Sequence, residues 1–136
     1  MAALTADRNT LKRSGDSLVL PVAADVKCFA GGLAARDADG NVTPGAVATT
    51  LLGIGRFAEF VDNTDGAAGA RSVRIEKGIF RFGNSGAGDA ITTADIGADC
   101  YIVDDQTVAK TNGTNTRSVA GKVFDVDANG VWVKFG

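Results

Sequence analysis

Apolar and polar residues alternate most regularly in the last sixteen residues of the chain, from Gly121 to Gly136. Two alternating runs flank Asn129-Gly130, a dipeptide that favours the type I′ turn of a β-hairpin because both residues tolerate a positive φ. A turn at these two residues predicts three apolar cross-strand pairs: Ala128 with Val131, Val126 with Val133, and Phe124 with Phe135.

This register gives the hairpin two different faces because side chains alternate along a strand. The face toward the core carries Phe124, Val126, Val133 and Phe135. The opposite face pairs Asp125 with Lys134 and Asp127 with Trp132. Trp132 is therefore expected either to anchor an interface or to lie partly buried under a loop.

Shorter apolar runs between turn residues predict strands in the first third of the chain. Ser17–Val22 is a first strand, and Pro21 places its end at an edge or a bulge because proline cannot donate to a β-ladder. Residues 26–36 predict a strand that bends at Gly31-Gly32. Gly40 is expected to adopt a positive φ in the turn that follows.

Glycine decides how the two longest apolar segments are interpreted. The spacing in residues 46–61 also fits a helix, but Gly53 and Gly55 would each cost about 1 kcal/mol relative to alanine, so we predict a bent strand. In residues 71–84 the apolar phase changes after Gly78. A β-bulge at Gly78 would keep one apolar face throughout this segment.

Local signals complete the prediction toward the C terminus. Thr92 and Asp95 have the spacing of a capping box, which predicts one short helical turn. Residues 100–103 and 106–110 are short strands, and residues 111–117 contain a second Asn-Gly turn. About six to nine short strands with turns between them indicate an all-β fold, a small β-barrel or β-sandwich of antiparallel strands.

The polar N terminus contrasts with this pattern. Residues 1–16 contain only two large aliphatic side chains, Leu4 and Leu11, among charged and hydroxyl residues. Such a segment buries little surface by itself and is expected to be an extended arm, with an ordinary frayed terminus as the alternative. The predicted organisation is thus an N-terminal arm, residues 1–16, and a single β domain, residues 17–136.

Composition and charge limit the possible functions. The chain has 136 residues and a net charge of −2, which argues against a nucleic-acid partner that needs a basic surface. No membrane span or signal-peptide pattern is found, so synthesis in a cytoplasm is expected. The absence of histidine removes the commonest general base and metal ligand. Cys28 and Cys100 are interpreted as buried small hydrophobic residues, while their pairing stays open.

No motif predicts a catalytic, cofactor or metal site. The pattern Asp125-x-Asp127-x-Asn129-Gly130 resembles half of an EF-hand loop, but it lacks the bidentate glutamate and is better explained by the hairpin. Residues 83–88 are rich in glycine, yet they lack the lysine and the helix of a phosphate-binding loop. Asp104 and Asp105 point to opposite faces if they lie on a strand, so they are interpreted as turn residues.

The phenylalanines fall mostly at positions that the alternation assigns to the core. An aromatic cluster that faces solvent is therefore not predicted. The seven residues are Phe29, Phe57, Phe60, Phe80, Phe82, Phe124 and Phe135.

Residues 88–136 carry a resemblance to a known family. They contain Asp-Ala-Ile-Thr-Thr-Ala-Asp, then Tyr-Ile-Val-Asp-Asp, a polar loop, Arg-Ser-Val-Ala-Gly and the closing hairpin. This succession resembles the small capsid decoration, or cement, proteins of tailed bacteriophages. The resemblance covers about a third of the chain and includes no catalytic signature.

The resemblance implies a non-enzymatic virion protein without a cofactor. It would be made in the bacterial host cytoplasm, and it would bind the outside of the assembled shell of major capsid protein and stabilise it. Members of this family are often trimers, so a homotrimer is expected. Neither a nucleic acid nor a membrane is an expected partner. The candidate contacts with the shell or between subunits lie in the arm and on the polar face of the hairpin: Leu4, Leu11, Lys12, Arg13, Asp127, Trp132 and Lys134.

A soluble β-barrel module that binds a ligand or a sugar, on a phage tail or a cell surface, is the alternative function. A concave aromatic cluster facing solvent would distinguish it from a decoration protein.

Overall fold

The computed structural model describes residues 2–136, which form twelve β-strands and two single-turn 3₁₀ helices. The 3₁₀ helices span Ala87–Asp89 and Thr93–Asp95. The predicted all-β class is confirmed, with more strands than the sequence indicated. The strands are β1 (Ser17–Pro21), β2 (Lys27–Cys28), β3 (Leu33–Arg36), β4 (Val42–Pro44), β5 (Leu52–Phe57), β6 (Val61–Asp62), β7 (Ser72–Glu76), β8 (Ile79–Asn84), β9 (Asp99–Ile102), β10 (Thr107–Ala109), β11 (Val119–Asp127) and β12 (Gly130–Lys134).

The strands form an open sheet, a closed barrel and a short ribbon. The open sheet has the order β1-β7-β5-β3-β4, the barrel has the order β10-β8-β12-β11-β9, and β2 pairs with β6 in the ribbon. Strand pairs are antiparallel, as predicted, except for β10 and β8, which run parallel with Thr107 opposite Gly83. The predicted small barrel is present, and the open sheet packs beside it.

Two buried clusters meet at β3. Leu33 and Ala35 belong to the barrel core, whereas Ala34 between them belongs to the second core. Because neighbouring side chains of a strand point to opposite faces, β3 is buried on both sides. The second core contains Val22, Cys28, Ala34, Val42, Ile54, Phe57, Val73 and Ile75.

The closing hairpin is present, but its predicted register is wrong. The turn residues are Ala128 and Asn129, so that Asp127 pairs with Gly130. A bulge between Val123 and Asp125 then reverses the side-chain parity. Val123 takes the inward position that was predicted for Phe124, and Phe124 is 53% exposed.

Close packing against β8 explains why Gly130 lies in the strand and not in the turn. Gly130 has φ +151°, and a Cβ atom there would clash with the carbonyl oxygen of Phe82. Only glycine allows the two backbones to approach this closely. Asp127 closes the turn instead, because its carboxylate accepts a hydrogen bond from the backbone N–H of Asn129 at 2.7 Å.

The predicted bulge at Gly78 is also wrong, because the segment changes from one sheet to the other at this point. Val73 and Ile75 on β7 are buried in the second core, whereas Phe82 on β8 is buried in the barrel core. Gly78 has φ +151° between the two strands. The change of apolar phase therefore reflects two different cores and not one continuous face.

The long strand predicted for residues 46–61 is divided. Within it, only Leu52–Phe57 (β5) and Val61, the first residue of β6, lie in strands. Residues 46–51 are irregular. Ser118, which is buried, holds this irregular segment: its hydroxyl donates to the carbonyl of Ala48 at 2.6 Å and accepts from the N–H of Leu51 at 3.1 Å. A buried polar contact distant in sequence thus replaces the strand ladder.

Several local predictions are confirmed. Pro21 ends an edge strand, and Gly40 has φ +85° in the turn after β3. Thr92 and Asp95 form the reciprocal hydrogen bonds of a capping box around a single 3₁₀ turn. Cys28 and Cys100 are both buried and free, in different cores.

Candidate functional site

The N-terminal arm is exposed and meets the β domain at its base, where Arg13, Ser14 and Gly15 line a cleft with Leu18 and Lys77. Every residue from Ala2 to Asp16 is exposed, and none of them is in a helix or strand. Met1, which the prediction included in the arm, lies outside the described residues. Within residues 2–136, no hydrogen bond or ion pair joins residues 2–15 to the β domain, and the first one is donated by the N–H of Lys77 to the carbonyl of Asp16 at 2.8 Å.

The candidate contact residues of the arm are all available to a partner. Leu4 is 72% exposed and Leu11 is 86% exposed. Lys12 and Arg13 are exposed beside Leu11. Apolar side chains with basic neighbours give this segment two ways to bind a protein surface, by burial of the leucines and by charge.

A second group of candidate residues lies on the outer face of the barrel. The indole Nε1–H of Trp132 donates to the carboxylate of Asp127 at 2.9 Å. The guanidinium carbon of Arg81 lies 5.7 Å from the centre of the indole ring. These contacts hold the half-buried Trp132 in one orientation, and Lys134 is exposed two residues further along β12.

The contact between Asp127 and Trp132 was predicted for a different reason. The sequence predicted that they are direct cross-strand partners. In the structure Trp132 pairs with Asp125, and its indole contacts Asp127, two residues further along β11. The hydrogen bond from the indole, followed by that from the N–H of Asn129, holds the pKa of the Asp127 carboxyl below its usual range. The ionised form of Asp127 is therefore the form that the fold favours.

This pKa predicts how Trp132 responds to acid. Because the folded-state pKa is lowered, the contribution of Asp127 is present above its unfolded-state pKa and is lost as pH falls through the folded-state value. We expect the NMR signal of the Trp132 indole N–H to titrate with a midpoint below the usual pKa range of an aspartate. Asp127→Asn should remove this titration, and a midpoint at or above the ordinary value would contradict the hydrogen bond.

The two groups of predicted contacts are separate. Within residues 2–136, no hydrogen bond or ion pair joins the arm to Asp127, Trp132 or Lys134. They are therefore two separate surfaces.

An exposed aromatic pair is the feature that sequence reasoning missed. Phe29 and Phe60 were predicted in the core, but they are 53% and 54% exposed. Their ring centres lie 5.4 Å apart. One local signal indicated that Phe29 could be exposed: it lies directly before Ala30-Gly31-Gly32, and a bend after a strand breaks the alternation of buried and exposed positions.

The structure offers few groups for covalent or metal chemistry. Among the residues described, no three cysteine or carboxylate side chains are grouped as metal ligands would be. Burial raises the pKa of the Cys28 thiol, and likewise that of Cys100, to about 11. Both thiols are therefore protonated at neutral pH and are weak nucleophiles.

No helix within residues 2–136 has the length and apolar character needed to cross a bilayer. Comparison with protein-family models, curated proteins and solved structures finds no match for the chain.

Proposed function

We propose that this protein is a non-enzymatic decoration protein that binds the outside of an assembled phage capsid and stabilises it. The single observation that carries the proposal is the exposed arm, residues 2–16. It exposes two leucines at 72% and 86% and has no hydrogen bond to the β domain before Asp16. The resemblance of residues 88–136 to phage decoration proteins supports the same function.

The arm suits a shell surface because of the distance that it spans when it is fully extended. Fifteen extended residues span up to about 50 Å, since each residue adds at most about 3.3–3.6 Å. Such a segment follows a broad protein surface without requiring a pocket, and it loses conformational freedom only when it binds. Binding to the assembled shell but not to dissociated subunits would stabilise the shell by mass action.

The outer face of the barrel suits contacts between copies of the chain. Trp132 is already oriented by Asp127 and Arg81, so little side-chain entropy is lost when it is buried. Phe124 is exposed on the neighbouring strand β11. Aromatic and arginine side chains together are typical of interface hot spots, and we propose that this face forms the seams of a homotrimer.

Deletion of residues 2–16 is expected to abolish binding to shells that were assembled without the protein. The measurement is co-sedimentation with the shells, together with the thermal stability of the decorated shell. The double variant Leu4→Ala/Leu11→Ala should weaken binding by about tenfold or more, since full burial of one leucine contributes about 1.5–3 kcal/mol. Sedimentation velocity on the same samples tests the trimer.

Val47→Ala is the matched control because Val47 is an aliphatic residue 56% exposed outside the arm. It should bind shells like the unaltered protein. The double variant and Val47→Ala should keep the thermal unfolding midpoint of the β domain, since they remove exposed side chains only. Deletion of residues 2–16 also removes the carbonyl of Asp16 that accepts from the N–H of Lys77, so a small loss of stability is expected for the deletion alone. Unchanged occupancy of the shells after deletion of the arm would refute the proposed function.

A further inference from the structure

The exposed pair Phe29 and Phe60 is held in place by the β2–β6 ribbon. The last pair of the ribbon is Cys28 opposite Val61, and the two phenylalanines are the next residues on either side. Their rings are inclined by 44° with their centres 5.4 Å apart. Two rings at this separation attract each other, but both keep about half of their surface in water.

The backbone near Phe29 leaves the ring little freedom to turn inward. The N–H of Gly31 donates to the carbonyl of Phe57 at 2.8 Å, and the N–H of Gly32 donates to the carbonyl of Phe29 at 3.0 Å. Phe57 itself is fully buried in the second core. The fold thus buries one phenylalanine of this region and presents Phe29 and Phe60 on the surface, where adjacent exposed aromatic rings commonly mark a binding site.

A cleft adjoins each ring. The cleft beside Phe60 has a volume of about 590 Å³ and includes Asp62, Arg71 and Ser72 in its lining. The cleft beside Phe29 has a volume of about 470 Å³ and includes Asp105 and Gln106. Both volumes lie in the range of small-molecule sites, about 300–1,000 Å³.

The polar side chains of these clefts have free hydrogen-bonding groups. Within the part of the chain that the structure describes, no hydrogen bond or ion pair engages the guanidinium of Arg71, the carboxylate of Asp105 or the side-chain amide of Gln106. Asp62 uses one carboxylate oxygen to accept from the backbone and hydroxyl of Thr64. A ligand would therefore meet donors and acceptors that break no internal bond.

The charges of the lining indicate a neutral ligand. Asp62 and Arg71 have opposite signs in one cleft, and Asp105 is the charged residue of the other. A strongly anionic ligand would meet the two carboxylates, and a strongly cationic ligand would meet the guanidinium. A chain of uncharged units with many hydroxyl groups suits this mixture.

We propose that Phe29 and Phe60 are the aromatic floor of a site for a neutral oligosaccharide. The C–H groups on the apolar face of a sugar ring carry partial positive charge and are attracted to the negative face of an aromatic ring. Sugar hydroxyls both donate and accept, so they pair with the carboxylates of Asp62 and Asp105, the guanidinium of Arg71 and the amide of Gln106. The 5.4 Å between ring centres is close to the length of one hexopyranose unit, so each ring contacts its own sugar.

The test is an NMR titration of the isotope-labelled full chain with four uncharged oligosaccharides, maltohexaose, cellohexaose, chitohexaose and xylohexaose, at millimolar concentrations. At least one of them should shift the amide signals around Phe29 and Phe60 and the side-chain amide signal of Gln106. The double variant Phe29→Ala/Phe60→Ala should bind that oligosaccharide about tenfold more weakly or not at all.

Ile96→Ala is the control because Ile96 is a large apolar residue, 48% exposed, that lines neither cleft. It should bind the oligosaccharide like the unaltered protein.

Unchanged spectra with all four oligosaccharides would overturn the proposal, and so would shifts confined to other surfaces. Loss of shell binding by the Phe29→Ala/Phe60→Ala variant without any saccharide binding would also overturn it, since the pair would then be a protein interface. If deletion of the arm left shell binding unchanged, the outcome of the saccharide titration would not be affected. The two proposals can therefore be tested separately.

Discussion

Replacing Gly53 with alanine is expected to destabilise the protein by about 3 kcal/mol or more, at the upper end of the cost of overpacking a core. Gly53 lies on β5, and its missing side chain faces the backbone of Ala120 on β11. A Cβ atom would come within 2.7 Å of the Cα of Ala120, a backbone atom that cannot move aside without its strand. Unfolding in urea, followed by far-UV circular dichroism and Trp132 fluorescence, measures the loss.

Gly86→Ala provides the control for this substitution. A Cβ atom at Gly86 meets no heavy atom within 4 Å, and its φ of −111° suits alanine. Its effect should stay within about 0.5 kcal/mol. Similar stabilities for the Gly53 and Gly86 variants would show that the open sheet and the barrel are not packed together as closely as described.

Phe135→Ala is expected to cost about 3–5 kcal/mol, whereas Phe124→Ala should cost less than about 1 kcal/mol. The ring of Phe135 is 5% exposed and packs on Phe82 with ring centres 6.0 Å apart and on Phe80 at 6.3 Å. Phe124 is 53% exposed beside the bulge. The two residues are of one type and on one hairpin, so they differ in environment alone.

Chemical denaturation of both variants measures these costs. Equal large losses would support the register predicted from the sequence, in which the two rings face each other in the core. Coincident transitions by circular dichroism and fluorescence would further indicate that the two cores unfold together, as the predicted single domain of residues 17–136 requires.

The exposed residues of the candidate site could be predicted where the composition of a segment or the polar face of the hairpin indicates exposure. The arm was found because residues 2–16 contain too few apolar side chains to form a core, whatever the remaining chain does. The contact of Trp132 with Asp127 was found because both lie on the polar face of the hairpin. Phe29 and Phe60 were missed because alternation gives the side of a strand on which a residue lies but not whether another layer covers that side.

If both proposals hold, the protein has two functional surfaces with different chemistry. The arm contributes leucines and basic side chains for a protein shell, and the Phe29–Phe60 pair contributes aromatic faces beside polar clefts. The shell assay of arm variants and the saccharide titration of the aromatic pair test them independently.

Local chemistry alone established the all-β class, the turn at Gly40, the capping box of Thr92 and Asp95, and the edge position of Pro21. These features depend on a few neighbouring residues whose backbone preferences or side-chain hydrogen bonds leave little choice. The hairpin register and the role of Gly78 depended on distant partners instead. Gly130 is needed where β8 passes close to it, and the strands before and after Gly78 belong to different cores, so long-range packing selected among arrangements that the local pattern permits.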